Sequence, residues 1–323
     1  MTNPAVDAEL HKSLLAELRS SGAITFNVGD STPIIKGAGE PEPADGPSKT
    51  MVADTAARPV GVLILSNPAN PDLVGRSVLN AAQAKGMLGA NLGSVILEPL
   101  AQGTFRGLSY ALWPWRRPLS SSHWFREVQR RALRSRILSW LRRAGELTRR
   151  AVTGEALEPR FAQPLRRMLE DARFPDEMSE AARRGLDRLY AETWRPFVVL
   201  AHNDFSFGNI LLPCARRPWG WGPCGFVVID WAGANLHGYP FYDLLSFCGC
   251  LRGPWPTLRE QVGLHCAVLS CESEDAVSYL LASLGALGMD LEYFPEDRYV
   301  SLATALFARL ARALGATQKS GDR

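Results

Sequence analysis

Four polar residues near the middle of the chain have side chains and spacing suited to chemistry. They are His202, Asp204 and Asn209, in the pattern His-x-Asp-x-x-x-x-Asn, and Asp230 in Val-Ile-Asp-Trp. A carboxylate can take a proton from a reacting group, and carboxylate and amide oxygens are preferred ligands of Mg²⁺. Taken singly, such residues are more often helix caps, Asx-turns or buried structural histidines. Taken together, they indicate acid–base chemistry beside a magnesium ion.

Two short apolar runs deliver these residues. The run from Phe197 to Leu200 is rich in valine and too short for a buried helix, so it predicts a strand that stops at His202. The run from Phe226 to Ile229 predicts a second strand that stops at Asp230. We therefore expect the polar residues to lie at the ends of two strands.

The segments after both motifs extend the pattern. The first motif continues as GNILL at 208–212, and the second is followed by GYPFYDL at 238–244. From about Leu200 to Phe247 the chain resembles the aminoglycoside and choline phosphotransferase family, small-molecule kinases with a protein-kinase-like fold. Outside this window the resemblance is weak.

The resemblance implies a role for each motif residue. Asp204 would orient the acceptor hydroxyl and take its proton, while Asn209 and Asp230 would hold Mg²⁺. His202 would be a scaffold residue that hydrogen-bonds the backbone near Asp230. Asp243 would accept backbone N–H bonds from the catalytic loop and fix its shape.

The resemblance also implies an α+β, bilobal fold. Residues 1–112 would form a nucleotide-covering lobe with a leading helix and a small antiparallel sheet. Residues 113–323 would form a larger, mainly helical lobe that carries the catalytic and substrate-binding residues. ATP and Mg²⁺ would be the cofactors, and a hinge with Ala111, Trp113 and Trp115 would contact the nucleotide.

The rest of the chain fits this division into a sheet-containing part and a helical part. Residues 6–19 have helical periodicity, and so do 116–150, 160–195 with a break at Pro175, and most of 250–316. Short strands are predicted at 23–28, 33–36, 50–53, 60–66, 95–100 and 108–113.

Three departures from the kinase pattern concern the nucleotide-covering part. The third strand, Val60 to Ser66, has no lysine to hold the phosphates, and the following helix, Leu73 to Leu88, has no carboxylate to pair with one. The loop from Gly37 to Ser48, where a triphosphate would be covered, carries Glu40, Glu42 and Asp45. The cations that could substitute are Lys36, Lys49, Arg76 and Lys85.

Two hypotheses therefore stay open, with a third behind them. The first is an ATP-dependent kinase that phosphorylates a hydroxyl of a small molecule such as an aminoglycoside, an amino alcohol or a sugar. The second is a catalytically silent, kinase-like regulatory protein that binds a ligand or a nucleotide. The retained Asp204, Asn209 and Asp230 favour the first, and the missing lysine and carboxylate favour the second. Transfer of a nucleotidyl group is permitted but not indicated.

Composition limits the other possibilities. The chain has 323 residues, 46% of them apolar, and a net charge of +3, which does not favour nucleic acid binding. We expect no membrane span and a cytoplasmic location, because no apolar run approaches the length of a bilayer; the oligomeric state stays open. The arginine-rich stretch 116–150 fits an anionic substrate, a membrane surface or a solvated helix face. The acidic stretch 271–297 fits a cationic substrate or a solvated surface.

All six cysteines lie between Cys214 and Cys271, without the spacing of a zinc site or a secretory context. We expect free thiols. Cys214 and Cys224 would face one another across a hairpin joining the two motif strands.

Overall fold

The structure is a computed structural model that describes residues 4–26, 28–33, 46–213, 225–251, 256–291 and 294–315. Most of the Gly37 to Ser48 loop, the predicted strand 33–36 beyond its first residue, and the pair Cys214 and Cys224 lie outside these ranges. Contacts divide the chain into two compact units, 1–133 with 209–233 and 134–208 with 234–323. The lobe boundary expected between residues 112 and 113 stays a prediction.

The helices in the described ranges are α1 Pro4–Ser20, α2 Leu73–Leu92, α3 His123–Thr148, α4 Gln163–Glu170, α5 Asp176–Tyr190, α6 Tyr242–Gly249, α7 Pro256–Leu269, α8 Ser273–Met289 and α9 Glu296–Gly315. The strands are β1 Val28–Pro33, β2 Ser48–Asp54, β3 Pro59–Leu65, β4 Ala101–Phe105, β5 Leu108–Pro114, β6 Arg117–Pro118, β7 Arg150–Ala151, β8 Phe197–Ala201, β9 Ile210–Leu212, β10 Val227–Val228 and β11 Asn235–Gly238. Among the described helices, none is both long enough and apolar enough to cross a bilayer.

The first unit is built on an antiparallel sheet in the order β1-β2-β3-β5-β4. Along β3, buried and partly exposed side chains alternate, as expected for a strand with one face covered. Helix α1 covers that face, because its leucines share one hydrophobic core with residues of the strands. This core includes Leu14, Leu15, Leu18, Val52, Leu63, Leu65 and Leu112.

The second unit is mainly helical and contains the short sheet β11-β8-β7. Tyr279 of α8 is buried, and its hydroxyl accepts a hydrogen bond of 2.9 Å from the backbone N–H of Phe197 in β8. Its ring packs edge-on against Trp194 and Phe161. Helix α8 therefore supports the strand that leads into the first motif.

Several sequence predictions needed correction. The strand predicted at 95–100 is wrong, because Val95 ends a short 3₁₀ turn and Ile96 forms only a single bridge, with Val228; β4 begins at Ala101. Residues 23–26 are not a strand. An apolar run marks burial, but it does not say which backbone will pair with it.

The two motif strands also pair differently from the expected hairpin. β8 pairs with β7 and β11, whereas β10 pairs with β9, the aliphatic run that follows the first motif. The motif strands therefore belong to different sheets.

Candidate active site

Asp204 lies on the loop that follows β8, and its side chain is exposed. β8 is the middle strand of its sheet, and all its residues are buried, as its valine-rich sequence favours. The backbone N–H of Leu200 also donates a hydrogen bond of 2.9 Å to Oγ1 of Thr148. The end of β8 at Ala201, three residues before Asp204, is therefore held in a fixed position.

Asp243, in the first turn of α6, holds the backbone of this loop. Its Oδ2 accepts a 2.6 Å hydrogen bond from the N–H of His202, and its Oδ1 accepts a 2.9 Å bond from the N–H of Asn203. Asn203 has a φ of +64°, which is uncommon for a residue other than glycine. The N–H of Asp204 in turn donates to Nδ1 of His202 at 3.3 Å. A buried carboxylate thus sets the conformation from which Asp204 projects.

Two buried phenylalanines anchor the loop to the interior of its unit. Phe205 and Phe207 are buried, while Asp204 between Asn203 and Phe205 is exposed. Phe205 stacks on Trp140 with ring centroids 5.7 Å apart, and both phenylalanines contact Phe247 of α6. The apolar side chains bind the loop to its unit and leave the carboxylate facing solvent.

Electrostatics distinguish the titratable groups around this loop. Burial raises the pKa of the Asp243 carboxyl, while the His202 ring and the two backbone N–H groups act in the opposite direction. Burial, together with the carboxylates of Asp243 and Asp204, raises the pKa of Tyr242 to about 12. Tyr242, the first residue of α6, therefore stays protonated near neutral pH.

Asn209 and Asp230 lie in the first unit, at one end of the β9–β10 pair. Val228 pairs with Ile210, and the N–H of Ile229 donates a 3.0 Å hydrogen bond to the carbonyl of Asn209. Asp230 is the next residue, exposed and with a φ of +67°. Backbone pairing therefore places the side-chain amide of Asn209 and the carboxylate of Asp230 at the same end of the β9–β10 pair.

The side chains of Asn209 and Asp230 fit a Mg²⁺ ion that is also bound by phosphate and water. Within the described ranges, no group of three or more His, Cys, Asp or Glu side chains could hold a metal ion. Magnesium at phosphate sites needs only one or two protein oxygens, because phosphate and water oxygens complete its shell. Asn209 and Asp230 offer two oxygens of the right kind, so they fit a magnesium ion that arrives with a phosphorylated ligand.

Asn80, in the middle of α2, was not among the residues predicted from the sequence. Its Nδ2 donates hydrogen bonds to the carbonyls of Trp231 at 3.1 Å and Ala232 at 3.2 Å. Trp231 is buried, and its Nε1 donates to the carbonyl of Val228 at 3.2 Å. Helix α2 is thus tied to the segment directly after Asp230. The sequence did carry a signal for this residue, because asparagine forms helices poorly and Asn80 stands in the interior of a mostly apolar helix.

The residues of the predicted hinge lie in or next to β5. Ala111 is buried and paired on both sides, and Trp113 is half-buried. The N–H of Trp115 donates to the carbonyl of Val60 at 3.0 Å, and its own carbonyl accepts from Arg116 at 2.9 Å. The Trp115 amide is therefore engaged by the sheet, and the nucleotide contact of all three residues stays a prediction.

The candidate substitutes for the strand lysine occupy different surroundings. Nζ of Lys85 lies 2.6 Å from Oε1 of Glu98 in an ion pair. Arg76 is exposed at the start of α2, and Lys36 lies outside the described ranges. Lys49 is half-buried within β2.

The acidic stretch 271–297 is partly neutralised inside its own unit. Arg188 of α5 forms ion pairs with Glu274 and Asp275 of α8. Arg173 lies 3.0 Å from Glu296 at the start of α9. These pairs favour a structural surface over a wall that selects a cationic substrate.

The two units together define the class of fold. One unit holds an antiparallel sheet, with α2 between β3 and β4 along the chain. The other is mainly helical and carries the loop with Asp204 after β8. This is the α+β, bilobal, kinase-like fold, so the fold class expected from the sequence is confirmed.

The first of three similar solved structures supports this assignment. A protein described as a fructosamine-3-kinase from Haemophilus somnus 129PT matches with a TM-score of 0.51 and 10% identity, over 91% of this chain and 95% of that one. A choline/ethanolamine kinase family protein from Mesorhizobium loti matches with a TM-score of 0.45 and 13% identity, over 94% and 99%. Choline kinase LicA from Streptococcus pneumoniae matches with a TM-score of 0.44 and 12% identity, over 95% and 99%.

The assignment of fold rests on the first of these likenesses, whose TM-score exceeds 0.5. No protein-family model and no curated protein matches the chain by sequence. At such identities the comparison concerns the fold alone.

Proposed function

We propose that this protein is an ATP-dependent phosphotransferase that moves the γ-phosphate of ATP to a hydroxyl group of a small molecule. The observation that carries the proposal is the exposed carboxylate of Asp204 on a loop whose backbone is held by the buried Asp243. Phosphoryl transfer depends mainly on positioning and on electrostatic stabilisation, and both require a loop that is rigid before the substrate arrives.

In this proposal Asp204 is the residue that meets the acceptor. Its carboxylate accepts a hydrogen bond from the hydroxyl and takes the proton as the new oxygen–phosphorus bond forms. At the same time the bond from the γ-phosphorus to the bridging oxygen of ATP breaks, and ADP leaves with that oxygen. The apolar anchors Phe205 and Phe207 and the carboxylate of Asp243 hold the loop in place. Little loop ordering then remains to oppose the reaction.

Asn209 and Asp230 would hold Mg²⁺ in the same proposal. When bound, the ion offsets the charge of the phosphate groups. The contribution of the chain is to keep both oxygen ligands at one end of the β9–β10 pair, with Asn80 fastening the segment that follows Asp230.

The proposed phosphate acceptor is a small compound with a hydroxyl group, of no narrower chemical class. Aminoglycosides, amino alcohols and sugars all carry such a group. The ion pairs of Arg188 and Arg173 remove one reason to prefer a cationic acceptor.

One observation favours a second function. β3 has no lysine and α2 has no carboxylate, so the charged pair that usually positions phosphates in kinases is missing from these elements. A silent, kinase-like protein that binds a ligand or a nucleotide would need no such pair.

Substitution of Asp204 tests the proposed reaction. We expect Asp204→Asn to lower phosphate transfer from ATP to a library of hydroxyl compounds by about 100-fold or more, because the proton acceptor is lost. The variant should still unfold at nearly the same temperature, since the side chain is exposed. Transfer is measured as labelled phosphate in the product.

A matched control is Asp187→Asn, which neutralises another exposed aspartate, on α5, and should leave transfer unchanged. Full transfer by the Asp204→Asn protein would remove Asp204 from the mechanism. A wild-type protein whose melting temperature rises with Mg-ATP, but which transfers no phosphate to any acceptor or to water, would support the silent alternative.

A further inference from the structure

The strand next to β3 carries a lysine whose orientation the structure defines. In β2, the hydroxyls of Ser48 and Thr50 lie 3.2 Å and 3.1 Å from the two ring nitrogens of the buried His11. His11 belongs to α1, so these hydroxyls face the covered side of the sheet. Successive side chains of a strand point to opposite faces, and Lys49 therefore projects from the face that α1 does not cover.

The register places Lys49 beside the end of β3. Lys49 pairs with Ile64, and Ile64 pairs with Ala111 of β5. Directly opposite residues of an antiparallel pair share one face, with Cβ atoms about 4.5–5.5 Å apart. Ile64 is the next-to-last residue of β3, in the region where kinases place their phosphate-binding lysine. The cation of this chain thus lies one strand away from the expected position.

The surroundings of Lys49 suit a cation that binds an anionic ligand. Its neighbours on the same face, Met51 and Val62, are apolar, and Lys49 itself is half-buried. The flexible four-carbon stem of lysine can shift its ammonium group by about the spacing between two strands. Among the other described candidates, Lys85 is paired with Glu98 and Arg76 is exposed.

We propose that Lys49 binds the α- and β-phosphates of the nucleotide and so replaces the missing lysine of β3. This inference rests on the proposed function, because it requires that the protein bind ATP. It explains how a chain without a lysine on β3 can still neutralise a triphosphate.

Nucleotide binding by calorimetry tests the inference without any measurement of catalysis. Lys49→Met should weaken Mg-ATP binding by about tenfold or more, the effect expected for loss of a charged hydrogen bond, and leave adenosine binding within about twofold of wild type. Lys49→Arg should retain part of the affinity for Mg-ATP. Lys85→Met is the matched control and should bind both ligands as the wild type does.

The outcomes separate the inference from the proposed function. If wild type and Lys49→Met bind Mg-ATP equally, the assignment of Lys49 is wrong, while the proposed phosphotransferase stands. Equal losses for ATP and adenosine would also contradict it, because they indicate damage to the sheet. A wild-type protein that binds no nucleotide overturns both.

A footprint on the wild-type protein covers the case in which Lys49→Met fails to fold. Exposed amines are acetylated briefly, and the modified lysines are quantified by mass spectrometry. Mg-ATP should protect Lys49 several-fold, adenosine should not, and Lys85 should react equally in all samples. Equal acetylation of Lys49 with and without Mg-ATP would refute the assignment.

Discussion

At the scale of single residues, Asp243 has more influence on the candidate site than its position in the chain suggests. It lies about 40 residues after the loop that it holds, and it satisfies the backbone N–H groups of both His202 and Asn203. A buried donor left without an acceptor costs about 1–3 kcal/mol. The carboxylate therefore stabilises the fold and shapes the loop with the same two bonds.

We expect Asp243→Ala to lower the free energy of unfolding by about 1–3 kcal/mol, because the buried N–H of His202 loses its acceptor, whereas the N–H of the exposed Asn203 can bond to water. Asp243→Asn should lose less, since one side-chain oxygen remains. Urea denaturation followed by circular dichroism measures both values. Asp187→Ala, at an exposed site, should change little, and an equally small effect of Asp243→Ala would contradict the hydrogen-bonding account.

At the scale of elements, α2 is joined to the segment after Asp230 by a neutral amide. Kinases commonly link the corresponding helix to the nucleotide through a charged pair, but α2 has no acidic residue for such a pair. The bonds from Asn80 to the carbonyls of Trp231 and Ala232 supply a different link. The position of α2 thereby becomes coupled to the backbone that carries Asp230.

Removal of this link should have two effects. Asn80→Ala is expected to lower the free energy of unfolding by about 1–2 kcal/mol, since two carbonyls lose their donor. If Asp230 holds magnesium, the variant should also need more Mg²⁺ for half-maximal binding of ATP. Titration of Mg²⁺ at constant ATP, with denaturation in parallel, measures both effects.

Asn91→Ala is the matched control, because Asn91 is an exposed asparagine on the same helix. It should leave the magnesium requirement unchanged. An unaltered requirement in Asn80→Ala would show that the link is structural and does not position Asp230.

At the scale of the whole molecule, the buried His265 makes stability depend on pH. Its Nδ1 lies 2.8 Å from the carbonyl of Gln261, and within the described residues its Nε2 has no hydrogen-bond partner. Burial lowers the pKa of this ring to about 4, and the charge of Arg142 contributes. Between pH 6.5 and about 4 the unfolded chain binds a proton that the folded protein does not, so stability falls as the pH falls.

We expect the free energy of unfolding to decrease by about 2 kcal/mol between pH 7 and pH 5 on account of this residue. Denaturation curves for wild type and His265→Gln at several pH values measure the effect. The variant should lose this part of the dependence, whereas His237→Gln, at a partly exposed site, should retain it. Parallel pH profiles for wild type and His265→Gln would contradict the assignment.

Local signals in the sequence determined a good part of this protein. The valine-rich run before His202 predicted β8, the break at Pro175 separated α4 from α5, and both are confirmed. The fold class, which the family resemblance implied, is confirmed as well. β8 and the break at Pro175 depend on neighbouring residues along the chain, through the strand preference of β-branched side chains and the missing N–H of proline.

Only the tertiary structure decided which distant residues meet. Asp243 reaches the N–H groups of His202 and Asn203, Asn80 reaches the backbone after Asp230, and Lys49 lies opposite Ile64. Each of these contacts depends on strand register or helix packing, which many distant residues set together. No short stretch of sequence contains that information, because a shift of one residue in register would turn Lys49 to the other face of the sheet.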